Sequence, residues 1–276
     1  MLINSIKILL SLIMIYALEE TGRFIYEQKK MNIYNEQICT LKKDIHTENN
    51  KNEVFDENSD IKELTIRNLK NLIPRDLVKG YIIFSNDKEA NNWSYNLYGD
   101  WMKNLIQKYK SEKGMNPYTA LSYYSGNTFH CINSYLRFGS KDDELSDYVE
   151  NDLVYNIDRA FFSVPKVSEN IVVFRKISYD SLEKIISKSI LDLKEGDCIK
   201  EKGYMSTSLV VDGTRGDNEN YVLFIIKVPI ESKGIYMDIR FNNIEEELLI
   251  DRNSSLLVEK VLLRSRKQII VLCSLM

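Results

Sequence analysis

The chain has 276 residues, 44% of them apolar, with 37 basic against 40 acidic side chains and only 4 prolines and 11 glycines. That supports a sizeable core in one large or two small domains, and it excludes collagen-like or loop-dominated architectures. Near-balanced charge offers no basic field for nucleic acid. Cys39, Cys131, Cys198 and Cys273 show no CxxC or Cys/His spacing, so neither a metal site nor a dense disulfide framework is expected.

At the amino terminus, Lys7 precedes ILLSLIMIYAL, apolar except for Ser11. This length fits a secretory apolar segment better than a bilayer span, so residues 1–18 are expected to be a signal peptide, with an uncleaved membrane anchor as the alternative. Residues 19–73 are dense in Lys, Glu and Asn and read as a polar, helix-prone spacer. Composition shifts near Pro74, where a folded region at 74–276 is expected to begin.

Within that region Asn86–Tyr109 carries Trp93, Leu97, Trp101 and Leu105 at intervals of four, with Tyr98 and Met102 beside them, the pattern of an amphipathic helix burying aromatics. Pro117–Arg137 reads as two helices broken at Ser125-Gly126-Asn127, the second placing Asn133 and Arg137 on one face. Asp142–Phe162 reads as a further helix. After Asn170 come short apolar or alternating runs at Ile171–Arg175, Tyr204–Leu209, Tyr221–Val228, Ile235–Ile239, Glu247–Asp251, Leu256–Leu262 and Ile269–Cys273, interrupted by one helix at Ser181–Ile190. Helices followed by strands predict an α+β fold.

The stretch Phe241–Ile250, FNNIEEELLI, runs three glutamates into an apolar strand. Strand alternation would point Glu245 and Glu247 into one space and Glu246 away. Adjacent carboxylates disfavour each other's ionised form, which costs stability unless the pair is used. The two histidines, His46 and His130, are solitary, and surface or packing roles are expected for both.

In chain order the sequence carries W-x3-L-Y-x2-W-x3-L at Trp93–Leu105, YSG-x6-IN-x2-LR at Tyr124–Arg137, Phe174-Arg175, STS at Ser206–Ser208 and ExE at Glu245–Glu247. This succession resembles the bacterial mono-ADP-ribosyltransferase exoenzymes, which include the clostridial Rho-modifying exoenzymes and the actin-modifying catalytic components of binary toxins. The resemblance covers about Pro74–Met276. It implies two facing mixed or antiparallel sheets with an N-terminal set of packed helices. It also implies NAD as substrate and an exported toxin acting on a host protein, with actin or a small GTPase as candidate targets.

By the same resemblance Glu247 is the catalytic glutamate, Ser206 holds it through a hydroxyl hydrogen bond, Arg175 grips the dinucleotide, and Asn133 and Arg137 contact the rest of NAD. Glu245, two places before the catalytic acid, corresponds to the position where Glu accompanies arginine acceptors and Gln asparagine acceptors. A guanidinium is protonated at neutral pH and must shed a proton to become a nucleophile, so a carboxylate base fits arginine. Three departures stand out: Lys176 replaces a second arginine, the loop VVDGTRGDNEN with Arg215 has no aromatic to pack on nicotinamide, and RFNNIEEE lacks the glycine common in the turn before the glutamates; Phe241 in that turn is a candidate contact for the protein substrate, with a core role as the alternative. Competing readings are an NAD glycohydrolase, whose acceptor is water, an asparagine-directed transferase, and an inactive anchored interaction protein.

Overall fold

The computed structural model describes residues 73–139, 148–211, 214, 220–237, 245–265 and 267–276. The expectations for residues 1–18, for 19–72, for Arg215 and for Phe241 fall outside these. All described residues belong to one compact unit spanning 55–276. Among the described residues no helix is long and apolar enough to cross a membrane.

Helix α1 spans Asp87–Tyr109 and starts where the Asn86 side chain accepts the Glu89 N–H at 3.0 Å, while the Glu89 carboxylate accepts the Ser85 N–H at 2.8 Å. Its buried face is Ala90, Ser94, Tyr98, Met102, Leu105 and Tyr109 rather than the tryptophan row. Trp93 and Trp101 lie at the margin of that face, where their indole N–H groups donate to Glu169 and to Ser163 Oγ. An indole N–H needs a partner, so the tryptophans settle at the rim and the neighbouring tyrosine and methionine go inside.

Helix α2, Pro117–Tyr123, is capped by Asn116 with Pro117 in its first turn; it runs through a kink at Gly126 into α3, Phe129–Phe138. The expected break at Ser125-Gly126-Asn127 is therefore present. The next helical stretch is π-helical over Tyr148–Val154 and becomes α4 at Tyr155–Ser163. Helix α5, Tyr179–Ile186, ends at Ser187 in the left-handed conformation, two residues before a 3₁₀ turn at Ile190–Asp192, so the single helix expected to reach Ile190 stops early.

Eight strands follow: β1 Ile171–Ser178, β2 Cys198–Glu201, β3 Met205–Ser208, β4 Tyr221–Val228, β5 Gly234–Tyr236, β6 Glu247–Ile250, β7 Ser254–Arg264 and β8 Gln268–Leu275. Strand β2, CIKE, was not foreseen: it is four residues long and alternates exposed with buried, too short for periodicity to register. The ladder order is β2-β7-β8-β4-β1-β3-β6-β5, with β4 and β8 parallel and every other pair antiparallel. Beneath β1, β4 and β8 lies a core of Ile73, Val172, Phe174, Val211, Leu223, Ile225, Ile270 and Leu272.

Two features turn this ladder into two layers. Between β1 and β3 it narrows to one residue pair, Phe174 with Ser208, dividing a five-stranded wing from a three-stranded one. In a flat sheet β2 and β3 would be five spacings, about 24 Å, apart. Only residues 202–204 join them, and the chain from 201 to 205 reaches at most about 14 Å. The sheet must therefore fold back, bringing the end of β2 against the start of β3. This is the mixed α+β architecture expected from the sequence.

Candidate active site

Strand β1 is buried through Ile171–Phe174 and half-buried from Arg175 onward, so Arg175 stands where the strand leaves the core. Across the one-pair junction lies a small open cleft of about 90 Å³ lined by Phe174, Arg175, Lys176, Ser206, Thr207, Ser208, Thr214 and Glu245. The Lys176 ammonium lies over the Tyr221 ring, 4.2 Å from its centroid.

Strand β3 pairs with β6 so that Ser208 faces Glu247 and Ser206 faces Leu249. Glu247 is thus one diagonal step from Ser206, within reach of a long side chain but not directly opposite it. The expected Ser206–Glu247 clasp is not among the hydrogen bonds of the described residues. Ser206 instead offers its main-chain carbonyl to Arg175 Nη1 at 3.4 Å, and its side chain is exposed at the cleft. The other two residues of the motif tie down the acidic turn. Thr207 Oγ1 donates to the Leu248 carbonyl at 2.5 Å, and Ser208 Oγ lies 2.6 Å from the Glu245 carbonyl oxygen.

The three glutamates part ways. Glu247, first residue of β6, is 6% exposed, and its charge acts on both Arg175 and the Tyr124 phenol. Glu246 has φ of 48°, in the left-handed region, and Glu245 belongs to the turn. Strand alternation therefore does not reach Glu245, because the positive φ at Glu246 interrupts the extended chain. Glu245 lines the cleft by virtue of the turn, whereas Glu247, expected to share that space, is not among the lining residues.

Glu246 points away, as expected, into a buried hydrogen-bonded group. Asn91 Nδ2 donates to its Oε1 at 2.5 Å and Tyr236 lies 2.5 Å from its Oε2, while the Tyr236 hydroxyl is 3.0 Å from Asn91 Oδ1. Burial raises the Glu246 pKa, the hydrogen bonds from Tyr236 and Asn91 lower it, and the charge of Asp87 raises it. Glu245 and Glu247 flank it on the turn. The folded chain then holds this proton more tightly than the unfolded chain. The associated stability is full below the ordinary glutamate pKa and is lost as pH rises through the raised value. Glu246→Gln should remove that slope, so that melting temperature followed from pH 4 to pH 8 falls less in the variant than in the parent.

Asn133 is 6% exposed and its amide is engaged with the main chain entering β3: Oδ1 accepts the Tyr204 N–H at 2.9 Å, and Nδ2 donates to the Tyr204 carbonyl at 3.1 Å and to Tyr124 Oη at 3.0 Å. Gly203 permits this approach, since a Cβ there would come within 2.5 Å of Asn133 Oδ1. Asn133 braces the STS strand. Asn133→Ala should cost about 1–3 kcal/mol of unfolding free energy by stranding the buried Tyr204 N–H, whose carbonyl keeps the Tyr124 hydroxyl as donor, measured by urea denaturation.

Arg137 holds Glu201 at two points, Nε to Oε1 at 2.7 Å and Nη2 to Oε2 at 2.8 Å, and Arg175 Nη2 lies 3.4 Å from the same Oε2. Burial pulls the Arg175 pKa down, Glu201 pulls it up, and Arg137 pulls it down again. Glu201 sits on the unforeseen strand β2 and is the site residue that motif reading missed. His130 is exposed on α3 against the Phe129 ring, and among the described residues Cys131, Cys198 and Cys273 are free thiols.

The sequence profile of the ADP-ribosyltransferase exoenzymes matches residues 90–275. The chain belongs to the ADP-ribosyltransferase exoenzyme family. Three solved structures share the fold of this exoenzyme. The ADP-ribosylating toxin BECa of the C. perfringens binary enterotoxin, solved with NADH, is 20% identical with a TM-score of 0.55; the match covers 71% of this chain and 50% of that one. The Clostridium limosum C3 exoenzyme is 23% identical at a TM-score of 0.53, covering 72% and 98%. C3stau2 from S. aureus, solved with NAD, is 21% identical at a TM-score of 0.54, covering 71% and 99%. The exoenzyme thus spans about half the length of BECa and nearly all of the two C3 proteins. No curated protein matches it significantly.

Proposed function

We propose that this exoenzyme cleaves NAD and transfers ADP-ribose to an arginine side chain of a host protein. The observation that carries the reading is the convergence of Arg175, Ser206 and Glu245 on one cleft, with the buried Glu247 paired to Ser208 across the adjoining strands. In the reaction, the bond from nicotinamide nitrogen to ribose C1′ breaks and its electron pair leaves with nicotinamide. Glu247, pairing with the ribose 2′-hydroxyl, stabilises the positive charge that grows on the sugar. Glu245 takes a proton from the acceptor guanidinium, whose nitrogen then bonds to C1′. Arg175 and Arg137 supply planar donors for the diphosphate.

Residues 1–18 fit a role in export and 19–73 one as a spacer to the catalytic region at 74–276, which suits action on host proteins such as actin or a small GTPase. The deciding experiment incubates the protein with labelled NAD, host lysate and the guanidino compound agmatine. Label on agmatine and on arginine of lysate proteins supports the reading. Label only in free ADP-ribose makes the protein a glycohydrolase, and label on asparagine overturns the acceptor assignment.

A further inference from the structure

Glu201 raises a physical question. Its side chain is 5% exposed, yet it is a carboxylate placed between the two guanidinium groups that would hold a dianionic diphosphate. A buried anion there opposes substrate binding through its charge, so its presence needs a compensating effect. The hydrogen bonds supply one. Oε1 accepts from Arg137 Nε and from the Gly203 N–H at 2.9 Å; Oε2 accepts from Arg137 Nη2 and Arg175 Nη2. Four donors fill the four acceptor positions of a carboxylate, which fixes its orientation. Arg137 belongs to α3, Arg175 to β1 and Gly203 to the link between β2 and β3, so Glu201 is the point at which three elements and the fold-back of the sheet meet.

Without that anion the two guanidinium groups would repel each other inside a poorly solvated site, and side chains of this length would swing apart. With it, they are held together with a net charge of +1 for the three groups.

We propose that Glu201 is a positioning residue that clamps Arg137 and Arg175 side by side, presetting them for the diphosphate of the dinucleotide. This rests on the functional reading above, in which those arginines meet NAD. The carboxylate makes no contact with substrate; it acts through the arginines. Its contribution is to spare the substrate the cost of assembling them.

The test is Glu201→Gln in the full chain, with Kd for NAD and for inorganic pyrophosphate measured by calorimetry and NAD cleavage measured at saturating NAD. The expected result is a loss of affinity of about tenfold or more for both ligands, as for a buried charged contact deprived of its partner, with kcat for cleavage within about threefold of the parent. The loss should shrink to about twofold or less when E201Q is compared with its parent in an R137Q background, because coupled residues are not additive. Unchanged affinity in E201Q, or an undiminished loss in the R137Q background, overturns the proposal. If E201Q does not melt cooperatively, R137Q/E201Q replaces it, and binding weaker than that of R137Q alone overturns the proposal. Parental protein that neither binds nor cleaves NAD refutes the functional reading itself, whereas an active parent with an unaffected E201Q refutes only the role of Glu201.

Discussion

Glu247→Gln is expected to lower NAD cleavage and ADP-ribose transfer together by about 10²–10³-fold, the usual effect of removing one preorganised electrostatic group from a transition state. Glu247 is the first residue of β6, its carbonyl accepts the Met237 N–H at 2.9 Å, and it faces Ser208 across the ladder. Its backbone is thereby fixed on both sides. A carboxylate 6% exposed and held by paired backbone would meet a developing sugar cation without reorganisation, and the amide keeps its shape while discarding its charge. Steady-state assays with NAD alone and with agmatine give the two rates. NAD affinity should change little, because ground-state NAD carries no full charge at ribose C1′, and a large fall in affinity with kcat intact would remove Glu247 from its assigned role.

Glu245→Gln should separate the two activities. Transfer to agmatine is expected to fall by about 10²-fold or more, within the range for loss of a general base, while hydrolysis of NAD retains most of its rate. Glu245 lies in the turn and lines the cleft beside Arg175 and Ser206, whereas Glu247 lies inside the strand. One position is open to an incoming side chain and the other is enclosed. Measuring nicotinamide release and agmatine modification on the same sample resolves the two. Equal losses in both, or none in either, would show that Glu245 does not serve the acceptor.

The helices and most strands were legible from periodicity, caps and turn residues. The acids near position 246 were legible as a constellation but not as a geometry. Alternation foresaw that Glu246 would diverge from its neighbours, and it does, yet through a left-handed turn that the sequence does not advertise. Arg137 and Asn133 share one face of α3 as their spacing implies, yet Arg137 meets Glu201 while Asn133 holds the Tyr204 main chain. The motif includes both residues, but only distances separate a brace from a ligand contact. Glu201 was invisible for a different reason: a four-residue strand has too few alternations to be recognised, and the partners of Glu201 at 137 and 175 are brought to it only by the folding back of the sheet. Ser208 and Thr207 were read as part of a motif, and their hydroxyls prove to fasten the turn that presents the acids.

Among the described residues Phe174 and Ser208 form the single rung joining the two wings of the ladder, with Arg175 on one wing and Glu247 on the other. Main-chain pairing between the wings is thinnest there, which is where a sub-global opening would start. On the functional reading proposed above, the chemistry would sit at the seam where backbone pairing is thinnest. A dinucleotide bridging that seam would act as its rivet, so catalytic competence and local rigidity would be gained in the same event.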